Sequence, residues 1–397
     1  MKKFVGAINV KVSNHISEDL ALSILSKLPL KSLKRFGCVC KSWVLLFENL
    51  YFLNMYRNYF ISSNHFYYDD TYILLNSTTH LFSSETPQST LYLLSGERFE
   101  NMVKVDWPPP FHEDDSLIYI LSKTSVNETL CLAQDLSNYP KCVFWNPTTN
   151  EFRIIPSSPF EFQSRYMQPL VYSNDFCYDH VRDDYKVIRR LSFFYIINID
   201  EQWVEDSYVD PMWEIYSLRS NSWRKLNIEI PCCNSENSPN EKAHVDGMCH
   251  WLSLTDESNC HSVEPHMVSF DLYNEVFLTT PLLSGVVELY DSLHLTLLNG
   301  SIAFILQDQE NTFHVRILGE LGVKESWTKI FIVDPLPCIE RLIGMGIKGS
   351  IFFKKYDNEL IWFDLSTRMI EEIGVKGCEY YCQIIIYKDG LLPIENL

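Results

Sequence analysis

A unit of about fifty residues recurs along most of this chain, and it limits the folds that the chain can form. Each copy joins an apolar strand, through a short turn of Asn, Ser or Thr, to a second strand that opens near a bulky apolar side chain. The copies are VFWNPTTNEFRIIP (143–156), WEIYSLRSNSWRKLNIEIP (213–231), VSFDLYNEVFLTTPL (268–282), FHVRILGELGVKESWTKIFIV (313–333) and IWFDLSTRMIEEIGVKG (361–377), with LYLLSGERFENMVKVDWP (91–108) as a weaker sixth.

The spacing of these copies predicts a β-propeller. The equivalent bulky residues are Phe152, Trp223, Phe277, Trp327 and Ile370, separated by 71, 54, 50 and 43 residues. A further strand introduced by glycine precedes the later copies, as in DGMCHWLSL (246–254), NGSIAFIL (299–306) and KGSIFFKK (348–355). About four strands per period make one small sheet, which cannot bury its faces alone and must stack against its neighbours as a blade.

The sequence leaves two blade counts possible and predicts how the ring closes. We expect six or seven blades, because the interval of 71 residues between Phe152 and Trp223 has room for another blade or for a long insertion such as 192–211. The strand at 379–388 is expected to pair with a strand near 70–82 and so close the ring. Aromatic residues, 14% of the chain, also favour strands in this region.

The N-terminal segment has helical rather than alternating periodicity. The residues Ile16, Leu20, Ile24, Leu25 and Leu28 form one apolar helix face, and Pro29 ends that helix. A second amphipathic run contains Leu33, Phe36, Cys40, Trp43 and Phe47, and Gly37 predicts a break within it. Because two or three short helices cannot bury a full core, we expect apolar surface to remain exposed for a partner.

The segment ISEDLALSILSKLPLKSLKRFGCVCKSWVLLFENLYF resembles an F-box, most clearly at LSKLPLKSL and GCVCKSW. The resemblance implies docking onto a Skp-type adaptor, which connects to a cullin–RING ubiquitin ligase. By position, the docking residues would be Ile16, Leu20, Ile24, Leu25, Leu28, Pro29, Leu33, Phe36, Val39, Cys40 and Trp43. One departure is that the leucine-proline opening of the pattern reads Ile16-Ser17 here.

The repeated units resemble the F-box-associated domain of plant F-box proteins, which is kelch-like. The matching stretches are WNPTTNEFRIIP, CYDHVRDDYKVIRR, YSLRSNSWRKL, GMCHWLSL, SFDLYNEVF and KESWTKIF. We therefore expect an α+β multidomain protein: a helical F-box at 12–56, a linker and first strands at 57–89, and a mainly-β, kelch-like propeller at 90–390.

The distribution of charge argues against nucleic acid as a partner. Residues 1–60 carry nine Lys or Arg and three acidic residues, whereas the rest of the chain carries 24 basic and 48 acidic residues. Such an acidic body repels a phosphate backbone. A DNA-reading helix-turn-helix is also disfavoured, because Phe36, Val39 and Trp43 stand where such a helix needs polar side chains.

Cysteine spacing and hydropathy predict a cytoplasmic or nuclear protein with no membrane association. The 12 cysteines contain no CxxC pair, the N-terminal residues do not resemble a signal peptide, and no apolar run is long enough to span a bilayer. We expect the cysteines to be reduced thiols.

No pattern in the chain predicts catalysis, a metal or a cofactor. Several His and Cys residues lie between His244 and His266, but strand alternation places Cys249 and His250 on opposite faces. The sequence contains no GxSxG or P-loop motif, and no GxGxxG motif beside a predicted strand and helix. The acidic pairs, including Asp183-Asp184, are expected in solvated turns.

Three functions follow from this sequence. The first is a non-enzymatic substrate receptor of an SCF-type ubiquitin ligase, which binds an unidentified target protein. The second is a propeller scaffold without a ligase role, and the third is a propeller enzyme, which would need a buried cluster of perturbed acids, His or Tyr at its axis. Loops 107–116, 157–176, 192–211, 232–243 and 255–266 are the candidates for target binding.

Overall fold

The computed structural model consists of two compact units, Met1–Ser62 and Ser63–Leu397. It describes residues 18–28, 30–39, 43, 45–46, 51–52, 55, 71–79, 88–111, 117–134, 141–162, 167–195, 208–227, 242–255, 264–283, 292–336, 338–376, 382–388 and 394. No helix within these ranges has the length and apolar character needed to cross a bilayer.

The first unit is helical, as predicted. Its described helices are α1 (Glu18–Leu25) and α2 (Leu30–Val39). A small core joins them, with Leu22, Leu25, Leu33 and Phe52 buried and Leu28, Leu46 and Met55 packed around them. The predicted break at Gly37 is wrong, because α2 continues through this residue. Packing of an amphipathic face commonly outweighs the low helix propensity of one glycine.

The second unit is built from short antiparallel strands. Blade 1 contains β1 (Thr71–Thr79), β2 (Gln88–Ser95) and β3 (Asn101–Val105), and blade 2 contains β4 (Ile118–Ile120), β5 (Leu130–Gln134), β6 (Lys141–Asn146) and β7 (Glu151–Ile155). Blade 3 contains β8 (Met167–Asp179), β9 (Asp184–Tyr195), β10 (Tyr208–Ser217) and β11 (Ser222–Leu226), and blade 4 contains β12 (Lys242–Val245), β13 (Met248–Thr255), β14 (Glu264–Asp271) and β15 (Val276–Pro281). Blade 5 contains β16 (Leu293–Leu298), β17 (Ser301–Gln307), β18 (Phe313–Leu318) and β19 (Trp327–Val333), and blade 6 contains β20 (Ile339–Met345), β21 (Ser350–Lys355), β22 (Glu359–Asp364) and β23 (Ile370–Lys376). The last strand, β24 (Cys382–Lys388), returns to blade 1.

The described strands form six four-stranded sheets, which resolves the choice between six and seven blades. The interval between Phe152 and Trp223 is occupied by the long strands of blade 3 rather than by a seventh blade. Residues 192–195 continue β9 and residues 208–211 begin β10, so the ends of the expected insertion are strand.

The predicted repeat positions are equivalent in the structure. Phe152, Trp223, Phe277, Trp327 and Ile370 each lie at the beginning of the fourth strand of a blade, paired with the end of its third strand. The glycine-introduced strands are the second strands of blades 4 to 6. Asp246-Gly247 and Asn299-Gly300 have positive φ at both residues, which is the geometry of a two-residue hairpin turn.

The ring closes as the sequence predicted. Strand β24 pairs with β1 along the register from Thr71–Lys388 to Ser77–Cys382. Gln383 extends this closure into blade 2, because its Nε2 donates to the Ile120 carbonyl (2.9 Å) and its Oε1 accepts from the Ile120 N–H (3.0 Å). Asn76 Nδ2 donates to the same Gln383 oxygen (3.1 Å).

Replacing this closing amide is expected to destabilise the propeller. Gln383→Met removes its three hydrogen bonds and leaves buried polar groups of Ile120 and Asn76 without them, which should lower the free energy of unfolding by roughly 2–3 kcal/mol. Urea denaturation followed by tryptophan fluorescence measures the loss. The same substitution at Gln307, whose Nε2 donates to Oδ1 of the exposed Asn311 (2.9 Å), should change stability by less than about 0.5 kcal/mol. Equal losses in both variants would contradict the role of Gln383.

Two expectations about polar residues are wrong. Cys177 of β8 and Cys249 of β13 form a disulfide between blades 3 and 4, so these two are not free thiols. Asp184 is buried rather than solvated, and its carboxylate accepts hydrogen bonds from Ser217 Oγ (2.6 Å) and the Arg219 N–H (2.9 Å). Both corrections depend on contacts between residues far apart in the chain, which local sequence patterns do not contain.

Candidate interaction surfaces

The helical unit exposes part of the predicted docking set. Leu20 and Ile24 lie one turn apart on α1 and are 54% and 49% exposed, whereas Leu22 and Leu25 of the same helix are buried in the small core. On α2, Phe36 and Val39 are also exposed. Spacings of three and four residues keep each pair on one helix face. We call these four exposed residues, two on each helix, the docking stripe: Leu20, Ile24, Phe36 and Val39.

The other predicted docking residues have different placements. Leu25 and Leu33 are buried and Leu28 packs against them, so these three support the helices from inside. Trp43 is half-buried and meets Phe36 edge to face, with ring centroids 5.4 Å apart. Ile16, Pro29 and Cys40 lie outside the described residues. Two exposed apolar residues that the sequence prediction missed are Leu45 and Tyr51.

The propeller has two edges of different character. Because neighbouring strands are antiparallel, first-to-second and third-to-fourth strand connections share one edge, and all other connections share the opposite edge. The first edge carries tight turns such as Asp246-Gly247 and Asn299-Gly300. We call the second the long-loop rim, defined by the strand ends that flank the connections 106–117, 156–166, 196–207, 227–241, 256–263 and 282–292.

All five predicted target-binding loops depart from the long-loop rim. Loops 107–116 and 157–176 connect successive blades, as does 232–243, while 192–211 and 255–266 connect second to third strands. Part of the second loop is strand, because β8 begins at Met167. Most of the remaining loop residues lie outside the described part of the chain. The topology therefore places the strand ends that flank the candidate loops at one edge, which sequence spacing alone did not reveal.

The opposite edge is held together between blades 3 and 4 by Asp179. Its carboxylate accepts from Lys186 Nζ (2.6 Å) and from Arg182 Nη1 (3.0 Å), and both cations also reach the Leu272 carbonyl of blade 4. Burial raises the pKa of Asp179, but the hydrogen bonds from Lys186 and Arg182 outweigh it and hold that pKa below its ordinary value. This network links the blades structurally.

Buried titratable groups lie in the first and second strands of blades 3 and 4. Burial lowers the pKa of His244 to about 4 and that of His250 to about 3, so both are neutral at pH 7. His250 Nδ1 lies 2.8 Å from Ser269 Oγ, but both side chains are fully buried and a substrate has no access to them. The carboxylate of Asp175 lies within 4.8 Å of the Cys177 and Cys249 sulfurs, which are already bonded to each other.

Comparison with known families matches both units. The model of the F-box domain matches residues 14–54, and the model of the F-box associated beta propeller domain matches residues 112–392. Among solved structures, TolB from Acinetobacter baumannii is similar at 12% identity with a TM-score of 0.46, over 83% of this chain and 71% of that chain.

Several Arabidopsis thaliana proteins are similar to this chain. The putative F-box protein At3g10430 is 26% identical over 90% of this chain and 89% of its own length, and F-box protein CPR1 is 23% identical over 94% and 87%. The putative F-box protein At3g16210 is 25% identical over 64% of this chain, a match that spans 59% of that protein. Because the propeller-domain model covers more than half of the residues, the chain belongs to the F-box associated beta propeller domain family and carries an F-box domain at its N-terminal end.

Proposed function

We propose that this protein is the substrate-recognition subunit of an SCF-type cullin–RING ubiquitin ligase of a plant. The observation that carries the proposal is the docking stripe, because Leu20, Ile24, Phe36 and Val39 expose apolar surface on helices whose other face already has its own core. Exposed apolar patches of this kind mark protein interaction sites. A Skp-type adaptor is the partner that the F-box domain match supports.

In this proposal the propeller, of the kelch type, holds a target protein at the long-loop rim and performs no chemistry itself. Tethering a target close to a charged ubiquitin-conjugating enzyme raises its effective concentration there. The assembly would act in the cytoplasm, the nucleus or both. A scaffold without a ligase role would use the same propeller but would not bind the adaptor, so adaptor binding separates the two functions.

The docking stripe can be tested by single charge substitutions. Ile24→Asp and Val39→Asp should each weaken binding of the full chain to a Skp-type adaptor by roughly 30-fold, about 2 kcal/mol, because a carboxylate then meets an apolar partner surface. Isothermal titration calorimetry measures the dissociation constant. The control is Val181→Asp, which changes an equally apolar, 65% exposed residue of the propeller and should leave adaptor binding unchanged.

The choice of exposed residues keeps this test interpretable. Leu25, Leu28 and Leu33 belong to or pack against the core of the helical unit, so their replacement would disturb folding and docking together. If Ile24→Asp and Val39→Asp bind the adaptor as well as the unmodified chain, the proposed ligase role is wrong.

A further inference from the structure

The chain returns to the propeller once more after its closing strand. Ile394 follows the end of β24 by six residues and is only 2% exposed. Its side chain belongs to an apolar cluster in which every other described member comes from blade 2 or blade 3. Its N–H donates to Glu151 Oε2 (3.2 Å) at the beginning of β7. We call this site the Ile394 seat: Glu151 together with the apolar cluster between blades 2 and 3.

The Ile394 seat lies at the edge of the propeller that carries the tight turns. Lys388 ends β24 at this edge, where its N–H donates to Ser125 Oγ (2.9 Å) in the connection between the first two strands of blade 2. Glu151 follows the turn between the third and fourth strands of the same blade. The seat is therefore on the edge opposite the long-loop rim.

The apolar cluster is held in place by contacts that do not involve Ile394. Tyr185 Oη lies 3.2 Å from Thr129 Oγ1, which fixes blade 3 against blade 2. Tyr216 Oη donates to Asn221 Oδ1 (2.8 Å) within blade 3. Both tyrosines belong to the cluster that includes Ile394. An apolar site whose walls have their own hydrogen bonds is preorganised for an incoming side chain.

The contact that Ile394 makes is weak enough to exchange. Its described contacts are packing in this cluster and one hydrogen bond to Glu151. Burial of one aliphatic side chain is a modest gain, and ordering the end of a chain costs conformational entropy. A segment held in this way leaves its site at equilibrium, and a ligand that prefers the vacated site shifts the population.

We propose that the Ile394 seat is a peptide-binding socket that the C-terminal segment of this chain fills and thereby blocks. Its ligand is an extended peptide segment that presents an aliphatic side chain to the cluster and a backbone N–H to Glu151. The chain's own segment is an internal competitor, because its attachment gives it a high effective concentration at the seat. The proposal does not depend on the ligase role, since the seat and the long-loop rim lie at opposite edges.

The test measures binding of a fluorescently labelled peptide, LLPIENL, which has the sequence of residues 391–397, to full-length variants by fluorescence anisotropy. Ile394→Asp should bind the peptide saturably and about tenfold or more tightly than the unmodified chain, because a carboxylate does not compete for an apolar seat. Ile394→Ala, a smaller perturbation of folding, should shift binding in the same direction. The peptide that itself carries Ile394→Asp should bind to neither variant.

A second substitution tests whether the peptide binds as Ile394 does. Glu151→Ala, added to the Ile394→Asp chain, should weaken peptide binding about fivefold, because the backbone N–H loses its acceptor. Ile370→Asp is the matched control, since Ile370 is 43% exposed on the outer strand of blade 6. This variant should bind the peptide as the unmodified chain does.

Three results would overturn the proposal. The first is that Ile394→Asp and Ile394→Ala both fail to bind the peptide, or both fail to fold in thermal unfolding, since the contact would then be structural alone. The second is unchanged peptide binding after Glu151→Ala, which would place the peptide elsewhere. The third is an oligomer of the unmodified chain that Ile394→Asp dissociates in sedimentation equilibrium, which would assign the seat to a second copy; a monomer is expected.

Discussion

Glu214→Leu is expected to lower the free energy of unfolding of the propeller by about 3–5 kcal/mol. Glu214 is fully buried in blade 3, where its Oε1 accepts from Arg189 Nε (2.5 Å) and its Oε2 accepts from Ser158 Oγ (2.5 Å). The Arg189 side chain is only 2% exposed. Removing the carboxylate leaves a buried guanidinium without its counter-charge, which is far more costly than losing an ion pair in water.

The geometry around Arg189 makes the effect specific to this pair. Its guanidinium also stacks on the Trp223 ring, 4.1 Å from the centroid, and Trp223 Nε1 donates to the Pro156 carbonyl (2.7 Å). The double variant Arg189→Met with Glu214→Leu removes both charges and fills the space with apolar groups. It should therefore be more stable than Glu214→Leu alone.

Urea denaturation monitored by fluorescence measures these changes, with Glu275→Leu as the matched control. Glu275 pairs with Arg224, but the two side chains are 25% and 50% exposed. Exposed pairs contribute at most about 1 kcal/mol, so this variant should differ little from the unmodified chain. Similar losses in the free energy of unfolding for Glu214→Leu and Glu275→Leu would contradict the conclusion that the buried Arg189–Glu214 pair contributes more than an exposed pair.

Much of the propeller could be predicted from the sequence because its signals are local. The recurring strand–turn–strand unit depends on neighbouring residues, and the paired positions Trp145–Phe152 and Phe270–Phe277 confirm it. The turns at glycines such as Gly247 could be predicted, because a turn position with positive φ favours glycine. The ring closure followed from the requirement that the terminal blade be completed.

The features that the sequence did not predict depend on register between distant strands. Asp175, His294 and Arg341 hold equivalent places on the first strands of blades 3, 5 and 6, because each pairs with the fifth residue of the second strand of its blade. The Cys177–Cys249 disulfide joins residues 72 positions apart. In the helical unit, periodicity predicted one apolar face, but only packing divides Leu25 in the core from Ile24 at the surface. Spacing identifies a face and leaves open which edge of it the core covers.

Asp175→Asn is expected to stabilise the propeller at pH 8 by roughly 2–4 kcal/mol. Asp175 is 1% exposed and its Oδ1 accepts from the Phe176 N–H (2.9 Å), while Oδ2 has no hydrogen-bond partner among the described residues. Burial raises its pKa to about 7 in the folded state, despite the nearby Lys242 and Lys123. Keeping a carboxylate ionised in this site therefore opposes folding at pH 8, and a neutral amide of the same shape avoids that penalty.

The pH dependence has a definite sign. An unfolded aspartate titrates near 3.9, so the folded chain binds this proton more tightly than the unfolded chain between about pH 4 and pH 7. The contribution of Asp175 to the free energy of unfolding of the unmodified chain therefore falls as the pH rises through that window. The difference between Asp175→Asn and the unmodified chain should be largest above pH 7 and should vanish near pH 4.

Denaturation at several pH values tests this, with Asp308→Asn as a control of opposite sign. Burial raises the pKa of Asp308, but the His314 Nε2 contact (2.9 Å) and the Thr312 and Glu310 N–H groups together outweigh it and hold that pKa below its ordinary value. Ionisation of Asp308 thus favours the folded state, and its replacement by Asn should destabilise the chain at pH 8. If Asp175→Asn follows the same pH profile as the unmodified chain, the Asp175 carboxylate is not held in a site that opposes its charge.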